Sequence, residues 1–167
     1  MKDSHHRKSW AWMLAGLVIV VSGVSLLLCC RPGSQQGADC LHDEYSLRCV
    51  RYLRNYDADT ITFEIAGVHP LLGREIPIRV LGVDTPEMKG KSPCEKDRAR
   101  KAQSFVADKL RQARRIDLKN ISRDKYFRID AEVEIDGKPL SRMLLDAQLA
   151  VSYDGGTKQD TDWCKVP

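Results

Sequence analysis

Two pairs of acidic residues lie where strand-like runs of the sequence begin or end. Asp57 and Asp59 come just before one such run, and Asp84 and Glu87 come just after another. Hard divalent cations such as Ca²⁺ take oxygen ligands, above all carboxylates. Two carboxylates at neighbouring strand ends can share one ion, although either pair in isolation is more typical of a turn or a helix cap.

Two arginines change the balance between these interpretations. Arg79 lies five residues before Asp84 within an apolar strand-like run, and Arg128 stands at the entrance to a later run. Planar guanidinium groups bind phosphate oxygens in a bidentate way. Two arginines, two metal-binding carboxylates and one further carboxylate that activates water are the parts that phosphodiester hydrolysis needs. The set therefore predicts a metal-dependent nuclease.

The elements that must position these side chains are short strands and two helices. The patterns of apolar and β-branched residues predict strands at 46–56, 60–65, 76–83, 116–121 and 129–135. Helical periodicity predicts helices at 97–115 and 140–149. This order predicts a mainly β domain with helices (α+β), and a five-stranded barrel of the OB type fits it.

Bulk charge gives little indication of the partner. The net charge is +4, of which Lys2, Arg7, Lys8 and Asp3 contribute +2, which leaves +2 for the rest of the chain. A protein that coats DNA would carry a larger excess. The helix at 97–115 is rich in basic residues, beginning with Arg98, and we interpret them as a solvated face rather than a phosphate-binding surface.

The N-terminal segment is predicted to direct the chain to a membrane. Residues 10–30 carry no charge and are mostly apolar, and as a helix they would span roughly 30 Å, the hydrocarbon thickness of a bilayer. Arg7 and Lys8 precede this run, so the N-terminus is expected in the cytoplasm. A cleaved signal peptide and lipidation at Cys29 or Cys30 stay open, but the flanking residues fit an uncleaved anchor best.

We therefore divide the chain into three parts. Residues 1–31 are predicted to be a signal anchor or signal peptide, 32–44 a linker, and 45–167 the folded domain. The domain would face the periplasm or cell exterior from a bacterial inner membrane, or be secreted if the N-terminal segment is cleaved.

The remaining four cysteines form an even set after this export-type segment, which favours two disulfides. Cys40 with Cys49 would close a short loop, and Cys94 with Cys164 would tie the middle of the chain to its end. A zinc site is the alternative, but it usually needs closely spaced Cys-x-x-Cys pairs, which the sequence lacks.

Three motifs together resemble the staphylococcal (micrococcal) nuclease family. They are Asp57-x-Asp59-Thr60, the run IRVLGVDTPE at 78–87, and Asp124-Lys125-Tyr126-x-Arg128. Their order and spacing are similar to the family's over about residues 45–155. The resemblance implies an OB-fold that cleaves DNA and RNA with Ca²⁺ and leaves products ending in a 3′-phosphate.

The resemblance also implies roles for the acidic residues. Asp59 and Asp84 match the carboxylates that bind calcium, and the backbone carbonyl of Thr85 matches a third ligand. Glu87 matches the residue proposed as the general base.

The basic and aromatic residues match the substrate-binding side of the family's site. Arg79 and Arg128 resemble its two phosphate-binding arginines. Lys125, Tyr126 and Tyr153 resemble residues that line its nucleotide pocket.

Two positions depart from the family's pattern, because Ala58 and Phe127 stand where the family has glycine. If φ is positive at Ala58, the turn before Asp59 would be strained. The predicted function is a calcium-dependent endonuclease that acts on DNA and RNA as a monomer. The alternative is a catalytically inactive OB-fold module that binds nucleic acid or protein at the membrane surface.

Overall fold

Alternating apolar side chains build most of the sheet in the computed structural model, which describes residues 39–124, 126–158 and 160–166. In the segment Thr60–Glu64 the side chains of Ile61 and Phe63 are buried, and in Ile129–Ile135 every second residue is buried. This alternation is expected of strands with one face on a core.

The described part of the chain contains nine strands and three helices. The strands are β1 Ser46–Leu47, β2 Arg51–Asn55, β3 Thr60–Glu64, β4 Ile76–Val80, β5 Val83–Asp84, β6 Ile116–Arg123, β7 Ile129–Ile135, β8 Lys138–Pro139 and β9 Val151–Ser152. The helices are α1 Pro70–Gly73, α2 Pro93–Gln112 and α3 Leu140–Asp146. The predicted α+β class, with mainly sheet, is confirmed.

The main sheet has the order β1-β6-β7-β4-β3-β2, and β8 pairs with β7. The β4–β7 pair is parallel, whereas the other pairs are antiparallel. A separate two-stranded sheet joins β5 to β9. Buried side chains of α2 and α3 join the same hydrophobic core as those of the sheet, among them Val106 and Leu144.

The main sheet does not close into the five-stranded barrel that the sequence predicted, since its strand path is open, with β1 and β2 at its ends. The single strand expected at 46–56 is interrupted at Cys49, whose φ is 54°. The N–H of Cys49 donates to the Asp117 carboxylate (2.8 Å) instead of to a strand neighbour. One backbone bond, from Val50 to Ile116 (2.9 Å), spans the break.

The strand expected at 76–83 is also shorter than predicted, because it ends at Val80 and turns through Leu81 and Gly82. Gly82 has a φ of 83°, a left-handed conformation that glycine adopts without steric cost. In one continuous strand, Arg79 and Asp84 would point to opposite faces. The turn removes that constraint and lets their side chains meet.

The long helix begins earlier than predicted, at Pro93 rather than at residue 97. Ser92 is its N-cap, and the Ser92 hydroxyl accepts a hydrogen bond from the Glu95 N–H (3.2 Å). Proline is well suited to the first helical position. The helix ends at Gln112, before the expected residue 115, and α3 likewise ends at Asp146, before residue 149.

The solvated-face interpretation of the basic helix is correct for Arg100 but wrong for Arg98. Arg100 is exposed and pairs with Asp97 (2.7 Å). Arg98 is half-buried and donates to the backbone carbonyls of Gln148 (3.2 Å) and Val166. Arg98 therefore helps to fasten the C-terminal segment onto α2.

No helix among the described residues has both the length and the apolar character needed to cross a bilayer. The predicted N-terminal segment, residues 1–31, lies outside the described residues, as does the first part of the predicted linker.

Both predicted disulfides are confirmed. Cys40 is bonded to Cys49 and Cys94 to Cys164, with Cα–Cα distances of 5.4 and 5.8 Å. The pairing occupies all four cysteines, so it rules out the alternative of a zinc site built from them.

The loop between β6 and β7 contains one of the two departures from the family pattern. The Asp124 N–H donates to the Arg128 carbonyl and the Phe127 N–H donates to the Asp124 carbonyl, both at 3.0 Å. This geometry gives Phe127 a φ of 62° while 79% of the residue is exposed. A left-handed conformation costs a non-glycine residue about 1–2 kcal/mol, and so exposed a ring recovers little by packing.

The two disulfides should stabilise the domain unequally. They close loops with sequence separations of 9 and 70 residues, and the loss of unfolded-state entropy grows with loop length. We expect the Cys94→Ala/Cys164→Ala variant to lose about 4.5 kcal/mol and the Cys40→Ala/Cys49→Ala variant about 2.5 kcal/mol of unfolding free energy. Urea unfolding followed by tryptophan fluorescence measures both losses, and equal or reversed losses would contradict this order.

Relief of the left-handed conformation should stabilise the β6–β7 loop. We expect Phe127→Gly to raise the free energy of unfolding by about 0.5–1 kcal/mol, because the relieved strain exceeds the extra backbone entropy of glycine. The matched control is Tyr126→Gly, which removes an exposed aromatic from a residue without positive φ and should lower stability. Thermal unfolding of both variants decides, and a destabilised Phe127→Gly would show that the ring has packing partners that matter.

Candidate active site

The guanidinium of Arg79 lies between the two acidic clusters. Its Nη1 forms an ion pair with Asp59 Oδ2, and its Nη2 lies 3.5 Å from Asp84 Oδ1. The same Nη2 donates to the Val83 carbonyl at 3.1 Å. The Arg79 side chain is only 13% exposed, so the pairing is largely removed from water. The structure thus brings together three predicted site residues from two distant stretches of sequence.

Asp59 is held by the backbone around it as well as by Arg79. Its carbonyl accepts a hydrogen bond from the Val80 N–H (2.8 Å), and its Oδ2 accepts one from the Thr85 N–H (3.2 Å). Asp59, Asp84 and Thr85 are all buried. Ala58 is also buried, and its φ is not positive. The turn before Asp59 is therefore not strained by the replacement of glycine with alanine.

Asp84 and Glu87 share a cation that sequence reasoning missed. Lys158 Nζ lies 3.0 Å from Asp84 Oδ1 and 2.7 Å from Glu87 Oε1. Asp84 Oδ1 is buried and accepts no hydrogen bond of regular geometry, although both Lys158 and Arg79 lie close enough to oppose its charge. Lys158 belongs to no motif or predicted element, and therefore nothing in the sequence connected it with the acidic residues.

The electrostatics of the cluster favour a further cation. Burial raises the pKa of Asp57 to about 6, and the charges of Asp59 and Glu87 raise it as well. Burial also raises the pKa of Asp84, against the opposing effects of Lys158 and Arg79. Asp57 belongs to the first of the three motifs, but the sequence predicted neither a metal-binding nor a catalytic role for it. The structure places it in the same negative field as the predicted ligands.

Arg128 stands just before β7, the strand that pairs with the strand of Arg79. The parallel register pairs Arg79 with Asp130, two residues after Arg128, and registered neighbours in a parallel pair share a face. Arg128 is held by Asp124, whose carboxylate accepts from the Arg128 N–H (2.9 Å) and Nε (2.7 Å). This hydrogen bond and the charges of Asp130 and Asp59 raise the pKa of Arg128. Its side chain remains 48% exposed and can reach a ligand.

The predicted nucleotide-binding residues flank these two arginines. The Arg128 guanidinium carbon lies 5.7 Å from the centre of the exposed Tyr126 ring, and that of Arg79 lies 6.0 Å from the centre of the Tyr153 ring. The Tyr153 N–H donates to the Gly82 carbonyl (3.1 Å), which fixes the tyrosine beside the turn after β4. Lys125, the third predicted residue of this group, lies outside the described residues.

The predicted metal ligands are of the chemical type that a hard divalent cation binds. Asp59 and Asp84 face one another across Arg79, and Asp84 offers a buried oxygen without a regular hydrogen bond. All the predicted donors are oxygens, as Ca²⁺ requires. Within the described residues no group of three or more His, Cys, Asp or Glu side chains is assembled as a metal site. The calcium interpretation therefore depends on two carboxylates and on backbone oxygen.

Comparison with known proteins identifies the family. A search of curated proteins found no match. The family model described as staphylococcal nuclease homologue matches residues 77–164. The match includes Arg79, Asp84, Glu87 and Arg128 but begins after Asp59. Since it spans more than half of the 167 residues, the chain belongs to the staphylococcal nuclease homologue family.

Proposed function

We propose that this protein is a calcium-dependent nuclease that hydrolyses phosphodiester bonds in DNA, and in RNA as well, to products ending in a 3′-phosphate. The observation that carries the proposal is the buried contact of Arg79 with Asp59 and Asp84. It joins a phosphate-binding group to two potential metal ligands in one place. Family membership supports a nuclease-like domain.

The arginines are proposed to hold the scissile phosphate. Arg79 is fixed by its buried ion pairs, whereas Arg128 is half-exposed and can exchange Asp124 for a phosphate oxygen. The Asp124 side chain is only 15% exposed, but it keeps the hydrogen bonds from the Tyr126 and Arg128 N–H groups after the exchange, and these limit the free energy that the exchange costs. Two guanidinium groups together can donate several hydrogen bonds to one phosphate.

Glu87 is proposed to act as the general base. Its side chain is 53% exposed and its carboxylate is held by Lys158. In the proposed step, a water proton passes to Glu87 while the water oxygen bonds to phosphorus. The bond from phosphorus to the 5′ oxygen breaks, and that oxygen leaves with the bonding electrons and takes a proton from solvent water. Arg79 and Arg128 stabilise the extra negative charge that develops on the phosphate oxygens.

The proposed calcium site consists of the Asp59 and Asp84 carboxylates and the Thr85 carbonyl. When bound there, the ion would supply positive charge to the phosphate as a Lewis acid. Tyr126 and Tyr153 provide rings beside the arginines on which a base can stack, and with Lys125 they form the proposed nucleotide pocket.

We also propose that the domain acts as a monomer outside the cytoplasm, anchored or released according to the fate of its N-terminal segment. The two disulfides support this location, because such bonds persist in oxidising compartments. The competing proposal is a catalytically inactive module that binds nucleic acid or protein with the same surface.

The first test concerns the metal ligands. Asp59→Asn keeps an oxygen that can accept from Thr85 but removes the charge, so it should abolish measurable calcium binding and lower cleavage about 100- to 1000-fold. Asp97→Asn is the control, because Asp97 is an exposed aspartate paired only with Arg100 among the ion pairs of the described residues. Calorimetry with Ca²⁺ and a DNA cleavage assay with and without chelator provide the measurements. Full cleavage in chelator would refute the calcium assignment.

The second test separates an enzyme from a binding module. Arg128→Ala should lower the turnover number about 100- to 1000-fold while substrate affinity changes much less, because the arginine is proposed to act on charge that grows in the transition state. Glu87→Gln should also slow turnover, since an amide cannot take the proton. Arg79→Ala is a poorer test because it leaves two buried carboxylates without their shared cation and destabilises the fold.

The control for Arg128→Ala is Arg100→Ala. Arg100 is an exposed arginine on α2, and its removal should at most weaken binding at low salt. Arg98 does not serve as a control, because it is bonded to the C-terminal segment. If the wild-type protein binds DNA without cutting it, or if Arg128→Ala alters only affinity, the binding module is the correct proposal.

A further inference from the structure

Lys158 bridges two residues of the proposed active site. Its Nζ lies 3.0 Å from Asp84 Oδ1 and 2.7 Å from Glu87 Oε1. We propose that Lys158 is an internal competitor for calcium, whose ammonium occupies the acidic site of the metal-free protein and moves away when the ion binds. This inference rests on the calcium site proposed above, and it assigns a role to a residue that none of the three sequence motifs contains.

The balance of charge supports an exchange between the two cations. Four carboxylates lie close enough to affect one another's charge, namely those of Asp57, Asp59, Asp84 and Glu87. Among the described residues, the cations that form ion pairs with this group are Arg79 and Lys158. Arg79 is nearly buried and fixed, whereas the Lys158 side chain is 47% exposed. A half-exposed, flexible ammonium is the cation that can leave at low cost when a divalent ion approaches.

The segment that carries Lys158 is held at both ends. At one end the Tyr153 N–H donates to the Gly82 carbonyl (3.1 Å). At the other end Trp163 is buried and Cys164 is bonded to Cys94. The tether keeps the ammonium near Asp84 at a high effective concentration, while the lysine side chain can still swing outward. Lys158 therefore competes with Ca²⁺ for the carboxylates as part of the chain, whatever other cations the solution contains.

The experiment compares Ca²⁺ affinity in the full chain and three variants by calorimetry at fixed pH and ionic strength. Lys158→Met removes the charge and keeps the aliphatic stem. It should bind Ca²⁺ about 3- to 10-fold more tightly, because the ion no longer has to displace an ammonium from the buried Asp84 and the half-exposed Glu87. Lys158→Arg should restore an affinity close to that of the wild type. Lys165→Met, in the same segment but paired with Asp162 (3.0 Å), should change nothing.

A second readout follows the lysine directly and does not depend on cleavage. Lysine acylation followed by peptide mass spectrometry should find Lys158 protected in chelator and reactive in saturating Ca²⁺, with Lys165 reactive in both. Thermal unfolding in chelator should show Lys158→Met less stable than the wild type, because Asp84 is buried and would lose one of its two cations. Calcium should reverse that order of stability.

The outcomes separate this inference from the proposed function. If the wild type binds Ca²⁺ and cuts DNA while Lys158→Met has unchanged or weaker affinity, competition by Lys158 is refuted and the nuclease stands. Continued protection of Lys158 in Ca²⁺ would refute it as well. If neither the wild type nor Lys158→Met binds Ca²⁺, the proposed metal site itself is wrong, and the inference fails with it. If Lys158→Met binds Ca²⁺ and the wild type does not, the result would strongly support competition by Lys158.

Discussion

The buried contact of Arg79 with Asp59 and Asp84 is the interaction on which the rest of the site depends. Ionised groups lose hydration when they are buried, and their attraction repays that loss only when the geometry is good and the other polar atoms are bonded. Here the backbone supplies those bonds, from Thr85 to Asp59 and from Arg79 to the Val83 carbonyl. Such a pairing is a poor way to gain stability, since well-packed apolar residues often do as well. Its value is that it holds an arginine and two carboxylates in a fixed arrangement before any ligand arrives.

Three features of the backbone make this arrangement possible. The turn at Gly82 ends β4 early and brings Asp84 back towards Arg79. The parallel pairing of β4 with β7 sets Asp130 beside Arg79, and Arg128 precedes Asp130 by two residues. The pairing of β5 with β9 then leads the chain past Asp84, so that Tyr153 and Lys158 reach the site from the C-terminal segment. Each feature is either a departure from a regular strand or a contact between distant stretches of the chain. Together they bring these side chains close to Asp84.

The charge of the site is consistent with a protein that binds a metal ion and a phosphate in turn. Carboxylates outnumber the cations paired with them, and burial raises the pKa values of Asp57 and Asp84. In our proposals this negative field attracts a cation, and Arg79 and Arg128 then bind phosphate once the field is balanced. Lys158 provides part of the balance within the chain itself. In our proposals the same carboxylates therefore bind either of two cations, the Lys158 ammonium when calcium is absent and Ca²⁺ when it is present.

The sequence by itself determined the α+β class, most strand positions, both disulfides and the family, because these depend on residue patterns within short stretches and on three motifs in order. It also named Asp59, Arg79 and Asp84, whose types are chemically distinctive. The tertiary structure alone decided that the strand path is open, since the break at Cys49 depends on contacts with Asp117 and Ile116. It alone placed Lys158 against Asp84 and bonded Arg98 to the C-terminal segment. No spacing along a chain encodes a contact between a loop lysine and a carboxylate 74 residues earlier, because that contact follows from how the sheet and the Cys94–Cys164 disulfide direct the last segment of the fold.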